Sequence, residues 1–182
     1  IYIPSKGFWI DKYEVSNRQF RKFLEQIGEP GNEKPTKYIS REPGFPAVST
    51  YSQAEAYCQK FGLRLPTKDE WEYAAGKDKN HIYPWGDQPP GEGDVWQANF
   101  DSLGNSAVER DGYEGTAPVS SFEKFISPYG AVNMAGNVWE WVQGSFRKGG
   151  SFFSSEDTLK ISYFAPGSSN EKQGFRCVKV EI

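Results

Sequence analysis

The sequence predicts an α+β domain poor in regular secondary structure, on three observations. Three fully punctuated helices lie in the first half of the chain. From Asp78 to about Ser127 the periodicity disappears, and short strand-like runs stand before the helices and after that stretch. Aromatic residues make up 16% of the chain, with 6 Trp, 19 Gly and 12 Pro. Such a profile suits short elements and long loops around a core of large rings. At 182 residues the chain fits one domain, 1–182, with a single sizeable core.

The elements follow in order. Gly7 to Val15 reads as a strand. Ser16 with Gln19 makes a capping box, after which Phe20, Phe23, Leu24 and Ile27 repeat with helical spacing until Gly28. Thr50 with Gln53 opens the second helix, carried by Ala54, Tyr57, Cys58 and Phe61 and closed by Gly62. Thr67 with Glu70 opens the third, carried by Trp71, Ala74 and Ala75 and stopped by Gly76. Tyr83-Pro84-Trp85-Gly86-Asp87 and Gln88-Pro89-Pro90-Gly91 are turn chemistry within a loop long enough to be functional or externally pinned. Gly136 to Val142, Gly150 to Phe153 and Gly174 to Ile182 are the later strand-like runs.

Composition excludes several function classes. A chain 37% hydrophobic and 25% charged is not disordered, and a net charge of −3 offers no basic surface for nucleic acid. No apolar run approaches the roughly 20 residues of a membrane span. The chain starts at Ile1 without an initiator Met, so it reads as a mature or excised piece of a longer protein.

Chemistry-bearing residues are few. The single His81 sits in a polar loop with no second His or Cys nearby and reads as a solvated side chain rather than a metal ligand or general base; one histidine also removes any three-His iron site. Cys58 falls on the inward face of the second helix and Cys177 in the last strand. Two buried thiols and a disulfide closing 119 residues are both open readings of that spacing. Asn99, Asp101, Glu109, Asp111 and Glu114 gather in one irregular stretch, and Asn133, Asn137 and Glu140 in another. Carboxylate and amide oxygens from irregular chain suit a hard cation such as Ca²⁺, though composition alone favours a solvated acidic loop.

Seven segments then resemble, in order, the formylglycine-generating enzyme (sulfatase-modifying factor) family. They are Phe8-Trp9-Ile10-Asp11-Lys12-Tyr13-Glu14-Val15-Ser16-Asn17, Leu63-Arg64-Leu65-Pro66-Thr67-Lys68-Asp69-Glu70-Trp71-Glu72-Tyr73-Ala74 and Tyr83-Pro84-Trp85-Gly86. Gly112-Tyr113-Glu114-Gly115-Thr116-Ala117-Pro118-Val119, Asn133-Met134-Ala135-Gly136-Asn137-Val138-Trp139-Glu140-Trp141, Gly149-Gly150-Ser151 and Gly174-Phe175-Arg176-Cys177 complete the set. The resemblance implies a variant of the C-type lectin fold with Ca²⁺-pinned loops. It implies two structural Ca²⁺ sites: the Asn99 side chain, the Phe100 carbonyl, Asp111 and the Tyr113 carbonyl at one, and Asn133, the Gly136 and Val138 carbonyls and Glu140 at the other. It also implies a Cys58–Cys177 disulfide, and with it an oxidising location that is extracellular, periplasmic or at the cell surface.

At the catalytic position the sequence departs from the family. Active members carry two cysteines shortly after Gly-Gly-Ser that bind Cu(I) and oxidise a substrate cysteine to formylglycine. Ser154 and Leu159 stand there instead, and neither supplies the soft thiolate that Cu(I) requires. The stretch from Lys160 to Gln173 is shorter than in the enzymes and lacks arginine, so no copper and no catalytic residue are expected. The resemblance then points to a catalytically degenerate bacterial member: a binding module for a protein or small molecule. Its surface would centre on Trp141, Ser151, Phe153, Ser154 and Tyr163, with Phe153 and Tyr163 as aromatic anchors if they are not core. Alternatives are a regulatory or sensor domain of a larger chain, such as a bacterial kinase or lipoprotein, and, disfavoured, an active oxidase.

Overall fold

The computed structural model describes residues 1–29, 35–91, 95–100, 111–167 and 173–180. Strands β1 (Tyr2–Ile3) and β2 (Phe8–Ile10) lead into helices α1 (Asn17–Ile27), α2 (Tyr51–Lys60) and α3 (Lys68–Ala75). Strands β3 (Glu140–Val142), β4 (Phe146–Lys148), β5 (Phe164–Pro166) and β6 (Val178–Val180) follow. Single 3₁₀ turns lie at Lys77–Lys79 and Glu156–Leu159. The described strands form two antiparallel three-stranded sheets, ordered β1-β2-β6 and β3-β4-β5.

All three capping boxes form: Ser16, Thr50 and Thr67 each accept from the backbone N–H of the residue three positions on, whose side chain reaches back. Each such cap stabilises its helix by about 1 kcal/mol. α1 and α3 end on left-handed Gly28 and Gly76. The strands are shorter than the sequence runs. Gly136 and Asn137 take φ of 75° and 62°, so extended backbone begins only at Glu140. Gly150 to Phe153 is a turn and not a strand, because Gly149 and Gly150 have φ of 89° and 74° and Ser154 N–H closes back on the Ser151 carbonyl at 2.9 Å. β1, β4 and β5 are absent from the sequence reading. Asp101, Glu109 and the end of the last predicted strand, 181–182, lie outside the described residues.

The core has three parts. Phe20, Phe23, Tyr57 and Phe175 pack ring against ring at 5.3–6.0 Å between α1, α2 and the segment before β6. Trp71, Ala74 and Ala75 of α3 bury against Ile3, Phe8, Ile10 and Val178 of the first sheet. Tyr83, Ala98 and Phe100 of the long loop form a third cluster with Ala135 and Leu159. Cys58 and Cys177, both buried, are joined in a disulfide that ties α2 to the approach to β6.

Candidate functional site

The Gly149–Gly150 turn lies against Ser154 and Leu159, the two residues that the family resemblance sets where active members carry their cysteines. A Cβ at Gly150 would come within 2.8 Å of Leu159 Cδ2 and 3.3 Å of Ser154 Cβ, so both residues flank one glycine. Ser154 is nearly buried; its Oγ accepts from Ser151 N–H at 2.9 Å and lies 3.2 Å from Ser151 Oγ. Leu159 is fully buried in the third core cluster. A hydroxyl spent on its own turn and an aliphatic core side chain offer no soft-metal ligand.

Phe153 is 50% exposed and meets Tyr38 edge-on at 5.0 Å and Phe152 at 4.5 Å. Tyr163 is 40% exposed and leans on Trp139 at 6.0 Å, whose ring carries the Arg147 guanidinium at 4.9 Å. A cavity of about 440 Å³ lies beside Tyr38, with Lys37, Arg41, Glu42 and Thr116 in its walls. Trp141 does not belong to this surface. It is wholly buried, donates from Nε1 to the Ser49 carbonyl at 2.9 Å and packs edge-on with Tyr51. Every residue of β3 is buried, so the strand has no outward face to present it.

The two expected cation sets differ. In the first, the Asp111 carboxylate accepts from Phe100 N–H at 3.1 Å and Tyr113 N–H at 2.9 Å, drawing both loop segments together. Asn99 is buried and donates from its side-chain nitrogen to the Gly115 carbonyl at 2.8 Å and to Asn137 Oδ1 at 3.3 Å, bonds that make no use of its side-chain oxygen. One carboxylate, one amide and two carbonyls are a hard-oxygen set of the kind Ca²⁺ takes, completed by water.

The second set does not fit a cation in this arrangement. Glu140 Oε2 accepts from Trp71 Nε1 and Arg176 Nε, both at 2.8 Å, and Oε1 from Arg176 Nη2 at 2.6 Å. Its charge is met by a fully buried guanidinium. Asn133 and Asn137, held in left-handed conformations that asparagine tolerates, turn their amides instead onto Glu14, at 3.0 Å and 2.7 Å. Burial, and then the neighbouring Glu140 charge, push the Glu14 carboxyl up to about 8.

Glu14 and Arg176 are the site residues that sequence reasoning passed over, although both stand inside quoted motifs. The usable signal was the pair Asn133 and Asn137, four apart in one motif, and Glu14 placed between Tyr13 and Val15 in another. His81 is also corrected: it is partly buried, and among the described residues its Nδ1 has no hydrogen-bond partner. No described helix is long and apolar enough to cross a membrane.

Comparison with known proteins supports the motif reading. The family profile described as "Sulfatase-modifying factor enzyme 1-like domain" matches residues 2–181. The formylglycine-generating enzyme of Mus musculus is 29% identical over 248 residues, covering 94% of this chain and 65% of that protein. The inactive C-alpha-formylglycine-generating enzyme 2 of Bos taurus is 33% identical over 178 residues, covering 86% and 56%. The chain therefore spans about three-fifths of the length of these curated relatives. The serine/threonine-protein kinase Pkn1 of Chlamydia trachomatis is 32% identical over 97% of this chain but 34% of its own length. Among solved structures, PvdO from Pseudomonas aeruginosa superposes with a TM-score of 0.75 at 21% identity, covering 94% of this chain and 79% of that one. At that identity the likeness shows the fold: mixed helix and strand with small sheets.

Proposed function

The chain belongs to the sulfatase-modifying factor enzyme 1-like family, and from that premise we propose that it is a non-catalytic binding domain on a C-type-lectin-like scaffold. The observation that carries this reading is the fate of the thiols. The chain has 2 Cys, and both are consumed in one buried disulfide. Copper-dependent oxidation of a cysteine needs free thiolate ligands, and Ser154 and Leu159 supply none. The relative named as inactive agrees in kind.

The binding surface is the exposed aromatic ground around Phe153 and Tyr163, with Ser151 and Ser154 on either side of Phe152 and Phe153, ahead of the 3₁₀ turn. Trp141 serves it only as buried support. An exposed aromatic held edge-on against a neighbouring ring at a tight turn is the kind of anchor that concentrates binding energy. Ca²⁺ at the Asn99–Phe100–Asp111–Tyr113 set would pin the loop behind it, a structural role with no part in chemistry. The disulfide favours an oxidising compartment: extracellular, periplasmic or cell-surface. A second reading has one observation behind it. The kinase relative contains this domain within a much longer chain, so the surface would then report to other domains of a parent protein.

The deciding experiment is oxygen uptake by the purified chain with Cu(I) and a cysteine-containing peptide. The expected result is no uptake above the protein-free blank and no stoichiometric copper. Formylglycine in the peptide by mass spectrometry would reverse the reading.

A further inference from the structure

A second cavity, of about 460 Å³, lies between the end of α3 and the segment 160–162 and shares no lining residue with the cavity beside Tyr38. Its walls are rich in donors: ammonium groups of Lys77 and Lys160, the Asn80 amide and the Ser162 hydroxyl. The single carboxylate of the lining, Glu72, is already met twice. Its Oε2 accepts from Lys77 and its Oε1 from Lys148, both at 2.8 Å. Lys148 is completely buried and also donates to the Ile161 carbonyl at 2.6 Å, so one sealed amine holds a residue of each wall. Ile161 N–H joins the walls again at the Ile82 carbonyl, 2.9 Å away.

The remaining partners of the two rim lysines are Asp69 and Asp157, each at 2.7 Å, with side chains 54% and 81% exposed. The Lys160–Asp157 pair is exposed enough to contribute little, so that ammonium group can turn to a bound anion at small cost, while Lys77 would reach the anion from its place on Glu72, whose side chain is only 13% exposed. His81 also lines the cavity, with its Nδ1 buried and without a hydrogen-bond partner among the described residues. Ile82, 45% exposed, adds one apolar wall.

We infer that this cavity binds a small phosphomonoester, its oxyanion between Lys77 and Lys160 and its organic part against Ile82. The volume lies in the range of small-molecule sites. Phosphate oxygens take charge-assisted hydrogen bonds from ammonium groups, and two lysines at the rim can share one dianion. The site is separate from the aromatic surface proposed above and stands or falls without it.

Calorimetric titration of the intact chain with inorganic phosphate and with phenyl phosphate tests the assignment. Both bind saturably, phenyl phosphate the more tightly. Lys160→Gln, at the rim and away from the buried Lys148–Glu72 pair, weakens each by about tenfold or more, as loss of a charge-assisted hydrogen bond predicts. Ile82→Ser removes the advantage of phenyl phosphate and leaves inorganic phosphate unchanged, while Lys22→Gln on α1 alters neither. Absence of saturable binding, or equal affinities for the two anions, would overturn the site. So would indifference to Lys160→Gln in a chain whose circular dichroism matches the parent.

Discussion

Arg176 and Glu140 form a bidentate ion pair sealed from solvent, with Nη2–Oε1 at 2.6 Å and Nε–Oε2 at 2.8 Å. The guanidinium's other donors reach the carbonyls of Asp11, Lys12 and Val132, at 3.2, 3.0 and 2.8 Å. One side chain thereby fixes the exit of β2, the loop before β3 and the approach to β6. Removing either charge strands the other in a low-dielectric interior, at a cost of about 3–5 kcal/mol. Glu140→Ala and Arg176→Met should each lower the unfolding free energy by that much in urea. Lys37→Met, at an ion pair with Glu114 whose side chains are 64% and 42% exposed, should change it by under about 1 kcal/mol. Equal losses at the two pairs would mean that the buried pair is not sealed.

Glu14 makes stability depend on pH with a stated sign. Its ordinary value is 4.5, and burial first, with the Glu140 charge second, raises it to about 8 in the fold. Between those values the folded chain holds a proton that the unfolded chain has released. Stability therefore falls as pH rises from about 4.5 to about 8 and levels off above, other groups held equal. Glu14→Gln should flatten that slope, by an amount on the order of a few kcal/mol across the window. Urea midpoints at a series of pH values measure it; an unchanged slope in the variant would show that Glu14 stays ionised throughout.

How much of this was legible depended on how local the cause was. The helix starts were readable because a capping box is a contact between residues three apart, and all three formed as written. β4 and β5 were not, because three-residue strands are defined by their partners across the ladder and carry too few residues to show a period. Trp141 was misplaced for the same reason: β3 is covered on both faces, so alternation says nothing about which way its residues point. The site's motif residues were legible through family resemblance. That Glu140 faces Arg176 is a contact across 36 residues that neither motif states alone.

The disulfide is checked by chemistry. Cys58 and Cys177 close a separation of 119 residues, for which chain-entropy reasoning gives a stabilisation of about 4–5 kcal/mol. Freshly purified, non-reduced protein should take up no alkylating agent after denaturation, by intact mass. Reduction should then lower the melting temperature by far more than reduction of a Cys58→Ala, Cys177→Ala double variant. Two alkylatable thiols in the non-reduced protein would dispose of the bridge.

Calcium can be separated from the ion pair by choosing the right carboxylate. Asp111 accepts from the backbone amides of Phe100 and Tyr113, so the expected calcium set is drawn from two loop segments that, among the described residues, no strand ladder connects. A cation bound only by the folded state stabilises it by RT ln(1 + [L]/Kd), about 2.7 kcal/mol at 100-fold excess over Kd. Chelator should therefore lower the melting temperature, and added Ca²⁺ should restore it. Asp111→Asn should abolish that response, because it removes the only carboxylate of the set while its side-chain oxygen can still accept a backbone hydrogen bond. Glu140→Gln should lose stability yet keep the calcium response, since that carboxylate is already bound to Arg176 and Trp71. A response that disappears with Glu140→Gln and survives Asp111→Asn would place the cation at the other set. A melting curve indifferent to chelator would dismiss calcium from this fold.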